Sequence, residues 1–247
     1  MGKLRVLLIT RECLRTDSNE GNVLLGLFSG IDAECANIYC KPGLPDNSLC
    51  GGYFQLTDKM ALENILHRKP MGRRVQCENG INAAQTAEVE KRGFYDFFRR
   101  HNLPVFHAAR ECLWSIADFR SGELDSFVRG FAPDVIFAPL CYSMYVLAVQ
   151  RYVISLAGCP AVTYIYDDLY SLRQISFSPV YWLCRFRQRR LIRKTLPFYR
   201  FAYTMCAQQA REFGRYFDIP MRVLPKCAGT VQQPERLADG TVRLIYA

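Results

Sequence analysis

The sequence predicts an α/β fold: a doubly wound, mostly parallel sheet with helices on both faces. Two observations predict it. Short β-rich apolar runs alternate with stretches of helical periodicity along the 247 residues, the pattern of a parallel sheet covered on both sides. Three times, too, a helical pattern passes into a buried apolar run through a joint that ends helices: Pro133, Gly158 to Pro160, and Asp218 to Pro220. Half of the residues are apolar and 22% are charged, enough of each for a domain with a full core.

Leu4 to Thr10 is the first strand. A loop, Arg11 to Asn19, leads to Gly21, after which Val23, Leu24, Leu27 and Phe28 fall on one helical face. Glu34 to Cys40 is a second strand, closed by Pro42, Gly43 and Pro45. Tyr53 to Leu56 is a third, followed by an apolar-periodic segment through Met60, Ile65 and Leu66. Residues 70 to 82, rich in Gly, Arg, Asn and Gln, read as a mobile loop, and helical patterns resume over Ala83 to Arg100 and Pro104 to Ala117. Ser121 caps the next helix, with Glu123 and Asp125 in its first turn and Leu124, Phe127, Val128 and Phe131 as its buried stripe. Pro133 stops it before the strand Asp134 to Phe137. Helix Tyr142 to Ala157 passes into strand Ala161 to Tyr166, and helix Ala207 to Phe217 into strand Met221 to Leu224. Val242 to Ala247 has a buried-strand pattern whose edge and faces would be exposed if it stood alone. It is expected to open a second domain, with residues 228 to 240 as a linker.

Composition narrows the function classes. Eleven scattered cysteines without a CxxC pair fit small core hydrophobes in a reducing cytosol. His67, His101 and His107 lack metal-site spacing, so no metal is assigned. Met1 to Arg5 opens directly into a strand, without the charged and apolar regions of an export signal. Residues 135 to 166, the nearest approach to a membrane span, are interrupted by Pro139, Arg151, Gly158 and Pro160 and divide better into strand, helix and strand. The formal charge of +9 favours an anionic partner: phosphate groups, an acidic membrane surface or nucleic acid.

In open α/β sheets, ligands bind beyond the carboxyl ends of the strands. Three segments are therefore candidates. After the first strand, Arg11 and then Asn19, Glu20, Gly21 and Asn22 lead into a helix whose free N–H groups suit a phosphate or carboxylate, with Gly21 allowing close approach. This is not GxGxxG, and an ordinary helix cap also accounts for it. After the strand Ala161 to Tyr166 come Tyr166, Asp167 and Asp168, the two adjacent carboxylates being able to orient a sugar hydroxyl, act as a base or help bind a metal, and equally able to cap a turn. The third is Pro179 to Leu196. There Arg185, Arg187, Arg189, Arg190, Arg193 and Lys194 fall on one broad helical face, with Trp182 and Phe186 among them, opposite Val180, Cys184, Leu191 and Ile192. Arg187, Arg190, Arg193 and Lys194 are the residues expected to meet an anionic bilayer; a solvated helix packed on its own sheet is the plainer alternative.

The order of these elements resembles the amino-terminal domain of GT-B-fold glycosyltransferases, especially the family 4 type that builds bacterial polysaccharides and glycolipids. The resemblance is carried by Leu124 to Ile136, Pro160 to Asp167, Val223 to Lys226 and Val242 to Ala247. It implies a Rossmann-like acceptor-side domain over residues 1 to 227, then a linker and the first strand of a donor-binding domain over 228 to 247. By the same resemblance the Gly21 loop faces the transferred sugar and donor phosphates. Tyr166 and Asp167 stand where the family commonly has a His-Asp pair, which leaves Asp167 the better candidate, and Lys226 stands where it often has asparagine. The implied reaction is retaining transfer of a sugar from a nucleotide-diphosphate sugar to a polysaccharide or lipid-linked acceptor. It needs no cofactor and no covalent nucleophile, and the fragment alone is expected to be inactive. The expected location is cytoplasmic, peripheral at the inner face of the cell membrane.

The competing reading is a non-catalytic basic α/β module bound to nucleic acid or anionic lipid. No RNA- or DNA-binding signature supports the nucleic-acid form, and nucleic acid is not the expected partner. A nucleotide-dependent oxidoreductase is disfavoured by the missing glycine fingerprint.

Overall fold

The computed structural model describes residues 2–75 and 104–225. Eight strands form one sheet in the order β4-β3-β2-β1-β5-β6-β7-β8. They are β1 (Leu4–Thr10), β2 (Ala33–Tyr39), β3 (Cys50–Gln55), β4 (Arg73–Val75), β5 (Val135–Phe137), β6 (Ala161–Ile165), β7 (Phe201–Thr204) and β8 (Met221–Val223). All pairings are parallel except β3 with β4. The described helices are α1 (Asn19–Phe28), α2 (Asp58–His67), α3 (Pro104–Ile116), α4 (Gly122–Phe131), α5 (Met144–Ala157), α6 (Pro179–Thr195) and α7 (Ala207–Gly214). The doubly wound α/β architecture is therefore as the sequence predicts.

The helices divide unevenly between the faces. Parallel crossovers are right-handed, so a chain that reverses its direction across the sheet also changes face. From β1 the chain first winds toward β2 through α1, whose Val23, Leu24 and Phe28 pack with Val6, Leu8 and Phe137 on one face. It then returns and winds the other way through β5, β6, β7 and β8, which puts α4, α5, α6 and α7 on the opposite face with α2 and α3. The α1-side face of β5 to β8 keeps an open apolar hollow of about 690 Å³, lined by Phe28, Phe137, Val162, Phe201, Tyr203 and Leu224.

Local chemistry explains the element ends. Ser121 accepts the Leu124 N–H at 3.2 Å to start α4, and Ala132, in the left-handed region at φ 46°, ends it just before Pro133. Gly158 ends α5 at φ 66°, a conformation that favours glycine. Two expectations are corrected. Residues 73–75, placed in a loop, form the antiparallel edge strand β4, and the Phe201–Thr204 run, which sequence periodicity passed over, is β7. The helical pattern over Ala83 to Arg100, the linker 228 to 240 and the strand pattern Val242 to Ala247 lie outside the described residues.

Candidate functional site

Reversal of winding leaves a crevice at the carboxyl ends of β1 and β5, the place where ligands bind in sheets of this kind. The turn out of β1 is fixed first. The Thr10 hydroxyl donates to the Glu12 carbonyl at 2.6 Å and accepts from the Asn37 amide at 3.0 Å, while the Cys40 N–H bonds the Arg11 carbonyl at 3.2 Å. Arg11, Glu12 and, from the end of β2, Lys41 thus project together. Lys41 donates to Glu12, and the Arg11 guanidinium lies 3.6 Å from the same carboxylate. Burial opposes ionisation of Glu12, yet the hydrogen bond from Lys41 and the charges of Lys41, Arg11 and Arg110 hold its carboxyl below the usual range. Lys41 is also lowered: burial and Arg11 outweigh its bond to Glu12.

Glu20, in the first turn of α1, faces this group. Burial pushes its carboxyl up to about 7; the charge of Glu12 adds to the rise, and Arg11, Lys41 and a backbone N–H from Glu12 pull against it. Ser18 caps α1 by accepting the Gly21 N–H at 3.0 Å. Gly21 is not open to a ligand. A Cβ there would sit 2.1 Å from the Arg15 carbonyl oxygen and 2.5 Å from the Ser18 hydroxyl, so the preceding loop fills the space the sequence suggested for a phosphate. Asn19 and Asn22 are exposed at the rim.

From the other side, α3 contributes His107, Arg110 and Glu111. Arg110 forms a two-point ion pair with Asp58, Nε to Oδ1 and a terminal nitrogen to Oδ2, both at 2.9 Å, and Trp114 donates to Oδ1 at 2.6 Å. Burial and the cations Arg11, Arg110 and Lys41 lower the His107 pKa. Glu111 performs the capping that Ser143 does not: its two oxygens accept the Met144 and Tyr145 N–H groups at 2.9 and 3.1 Å, opening α5. Burial nevertheless raises its carboxyl to about 7.

The segments after β5 and β6 complete the crevice. The Tyr142 hydroxyl donates to Asp167 Oδ2 at 3.0 Å, and burial together with that carboxylate pushes the phenol up to about 12. The buried Tyr166 hydroxyl has no partner, and its ring stands edge-on to Tyr164 at 4.5 Å. The two aspartates separate in role. Asp168 accepts from the N–H groups of Tyr170 and Ser171 at 3.3 and 2.8 Å and from the Ser171 hydroxyl, so it caps a turn. Asp167 keeps an exposed carboxylate.

No family model and no characterised protein matches this sequence.

Of the residues singled out from sequence, the structure brings Arg11, Glu20, Tyr166 and Asp167 to one crevice and turns Asp168 away. Glu12, Lys41, His107, Arg110, Glu111 and Tyr142 join them unforeseen. Lys41 and Tyr142 follow β2 and β5 directly, so the strand-end rule applied to every strand would have found them; the α3 residues carry no comparable signal. Cations, titratable carboxyls and an acceptor carboxylate in one cleft can bind a polar, partly anionic ligand and orient hydroxyls. Among the described residues, no group of three His, Cys, Asp or Glu side chains is arranged for a metal ion.

The arginine-rich helix lies elsewhere, packed against α5 and α3. Arg187, Arg190, Arg193 and Lys194 are exposed, as placed from sequence. Arg185, assigned to the same face, is instead buried: it donates to the Asp168 and Ser171 carbonyls at 3.4 and 2.7 Å and to the Gln174 and Gln188 side chains at 3.4 and 3.2 Å. The helix turns one arginine inward because the loop before it needs donors. No described helix is long and apolar enough to cross a membrane.

Proposed function

We propose that this chain is the acceptor-side domain of a two-domain glycosyltransferase that moves a sugar from a nucleotide-diphosphate sugar to a glycan or lipid-linked acceptor. The observation that carries it is the Asp167–Tyr142 pair at the strand ends, beside Arg11 and Glu20. A carboxylate held by a phenol suits an acceptor hydroxyl, and nearby cations suit developing phosphate charge. Glu20, largely protonated below neutrality, donates a hydrogen bond to an anion instead of repelling it.

The test joins residues 1–247 to a donor-binding domain and measures transfer of labelled sugar. Asp167→Asn should lower the rate on the order of a hundredfold or more with an unchanged melting curve, and residues 1–247 alone should neither transfer nor hydrolyse. Full activity in Asp167→Asn, or vigorous turnover by residues 1–247 alone, overturns the proposal. A second reading, a non-catalytic module bound to an anionic surface, is favoured by one observation: residues 169–211 carry nine Lys and Arg and no Asp or Glu, which equals the chain's whole formal charge of +9.

A further inference from the structure

The most exposed large apolar side chains in the described structure are Phe177 and Ile175, at 99% and 90%, in the loop between β6 and α6. Leu183, Phe186 and Leu172, at 62%, 55% and 43%, lie in the same loop and on the adjoining turns of α6. The loop is not loose. Arg185 holds it from beneath at Asp168, Ser171 and Gln174. The Trp182 indole N–H holds the Ser176 carbonyl at 2.8 Å, and Ser178 caps α6 by accepting the Tyr181 N–H. The tethered residues alternate with the projecting ones, so the fastening itself presents Leu172, Ile175 and Phe177 outward.

Beside these side chains, Arg187, Arg190 and Lys194 follow Leu183 and Phe186 at helical spacing along one stripe of α6. Among the described residues none of these three is in an ion pair, whereas Arg173, in the loop, pairs with Glu212 at 3.6 Å.

We propose that the 172–177 loop and the outer stripe of α6 form a docking surface for an anionic lipid bilayer, with Ile175 and Phe177 entering the acyl boundary while Arg187, Arg190 and Lys194 meet the headgroup phosphates. Apolar tips with long cationic side chains at their base match the depth profile of a membrane interface. A nucleic-acid backbone would satisfy the arginines and leave Ile175 and Phe177 in water, so the bilayer is favoured. The same contact sets Asp167 close to the bilayer, because Asp168, its neighbour, belongs to the loop that Arg185 anchors. The proposal stands apart from sugar transfer and is read without it.

The experiment is co-sedimentation of the 247-residue chain with phosphatidylcholine vesicles, with vesicles also containing phosphatidylglycerol, and with a mixed-sequence oligonucleotide as competitor. Expected are binding to the anionic vesicles that weakens with salt, little binding to the neutral ones, and quenching of Trp182 by brominated lipid; the other tryptophan, Trp114, is buried. The triple variant Arg187→Ser/Arg190→Ser/Lys194→Ser should lose on the order of a hundredfold in affinity, and Ile175→Ser/Phe177→Ser roughly tenfold or more together with the quenching. Absence of binding to anionic vesicles overturns the proposal, as does undiminished binding by either variant. Preferential binding to the oligonucleotide that is indifferent to Ile175→Ser/Phe177→Ser overturns it in favour of nucleic acid. Because all five substituted side chains are exposed, melting curves should match the parent.

Discussion

Replacing Glu20 with Gln should stabilise the protein at alkaline pH and leave it unchanged in acid. In the fold the Glu20 carboxyl is raised to about 7 by burial and by the charge of Glu12, with Arg11, Lys41, Tyr166, Cys40 and Cys141 as its other ionisable neighbours, while its unperturbed value is 4.5. A group raised in this sense holds its proton more tightly folded than unfolded. Its contribution is fully present below 4.5 and is lost as pH rises through 7. Above both values the loss amounts to about 3 kcal/mol. Gln keeps the oxygen that accepts the Glu12 N–H and never ionises, so Glu20→Gln escapes the loss. Urea titrations of both proteins at several pH values between 5 and 9 measure the difference. It should be about 1 kcal/mol at pH 5, where the unfolded carboxyl has begun to ionise, and reach about 3 kcal/mol by pH 8, a rise of roughly 6–12 °C in melting temperature for a chain of this size. Glu111, which titrates in the same range, contributes equally to both proteins and cancels. A pH-independent difference, or a Glu20→Gln variant less stable at pH 8, would refute the burial of the Glu20 carboxyl beside Glu12.

Gly21→Ala puts a methyl against the Arg15 carbonyl oxygen, a backbone atom that cannot swing aside; it should destabilise by about 2–3 kcal/mol, seen as a lower urea midpoint at unchanged slope. Asp168→Ala removes the acceptor for the Tyr170 and Ser171 N–H groups and should cost about 1 kcal/mol, whereas Asp167→Asn should leave stability unaltered in the same melts. Arg185→Met loses four hydrogen bonds but also removes a buried charge whose Nε lacks a partner. The net effect should be about 1–3 kcal/mol, with limited proteolysis cutting faster within residues 169–178.

How far the sequence speaks depends on whether a residue's role is decided by neighbours along the chain. β1, β5, β6 and the Ser121-capped α4 are written in local terms: continuous apolar runs, a cap followed by acids, a Pro at the stop. Their bounds agree with the structure within a residue or so. β4 is a three-residue edge strand with two exposed arginines, and β7 follows Pro197 without a long apolar run; pairing with β3 and β6, not composition, makes them strands. The same distinction governs the site. Arg11, Glu20, Tyr166 and Asp167 were accessible because strand ends are where ligands bind. Arg110 and Glu111 reach the crevice only because α3 packs against α2, α5 and α6, a long-range fact. Arg185 shows the reverse error: helical periodicity put it among surface cations, and the loop preceding α6 drew it inside.

Charge is distributed so that two anion-binding readings are separable. All of the formal excess of +9 lies in residues 169–211, so the remainder of the chain is balanced. The crevice is built from that balanced part: Arg11, Lys41 and Arg110 face Glu12, Glu20, Glu111 and Asp58. Its affinity for a phosphate-bearing ligand should then rest on short-range hydrogen bonds, which salt screens weakly, and should fall as Glu20 and Glu111 ionise above pH 7. The α6 surface is the opposite case, rich in exposed cations and therefore strongly salt-sensitive. A ligand held in the crevice responds mainly to pH, and a surface held by α6 responds mainly to salt. Binding that showed the salt response but no pH response would assign the anion to α6, however well it fitted the crevice.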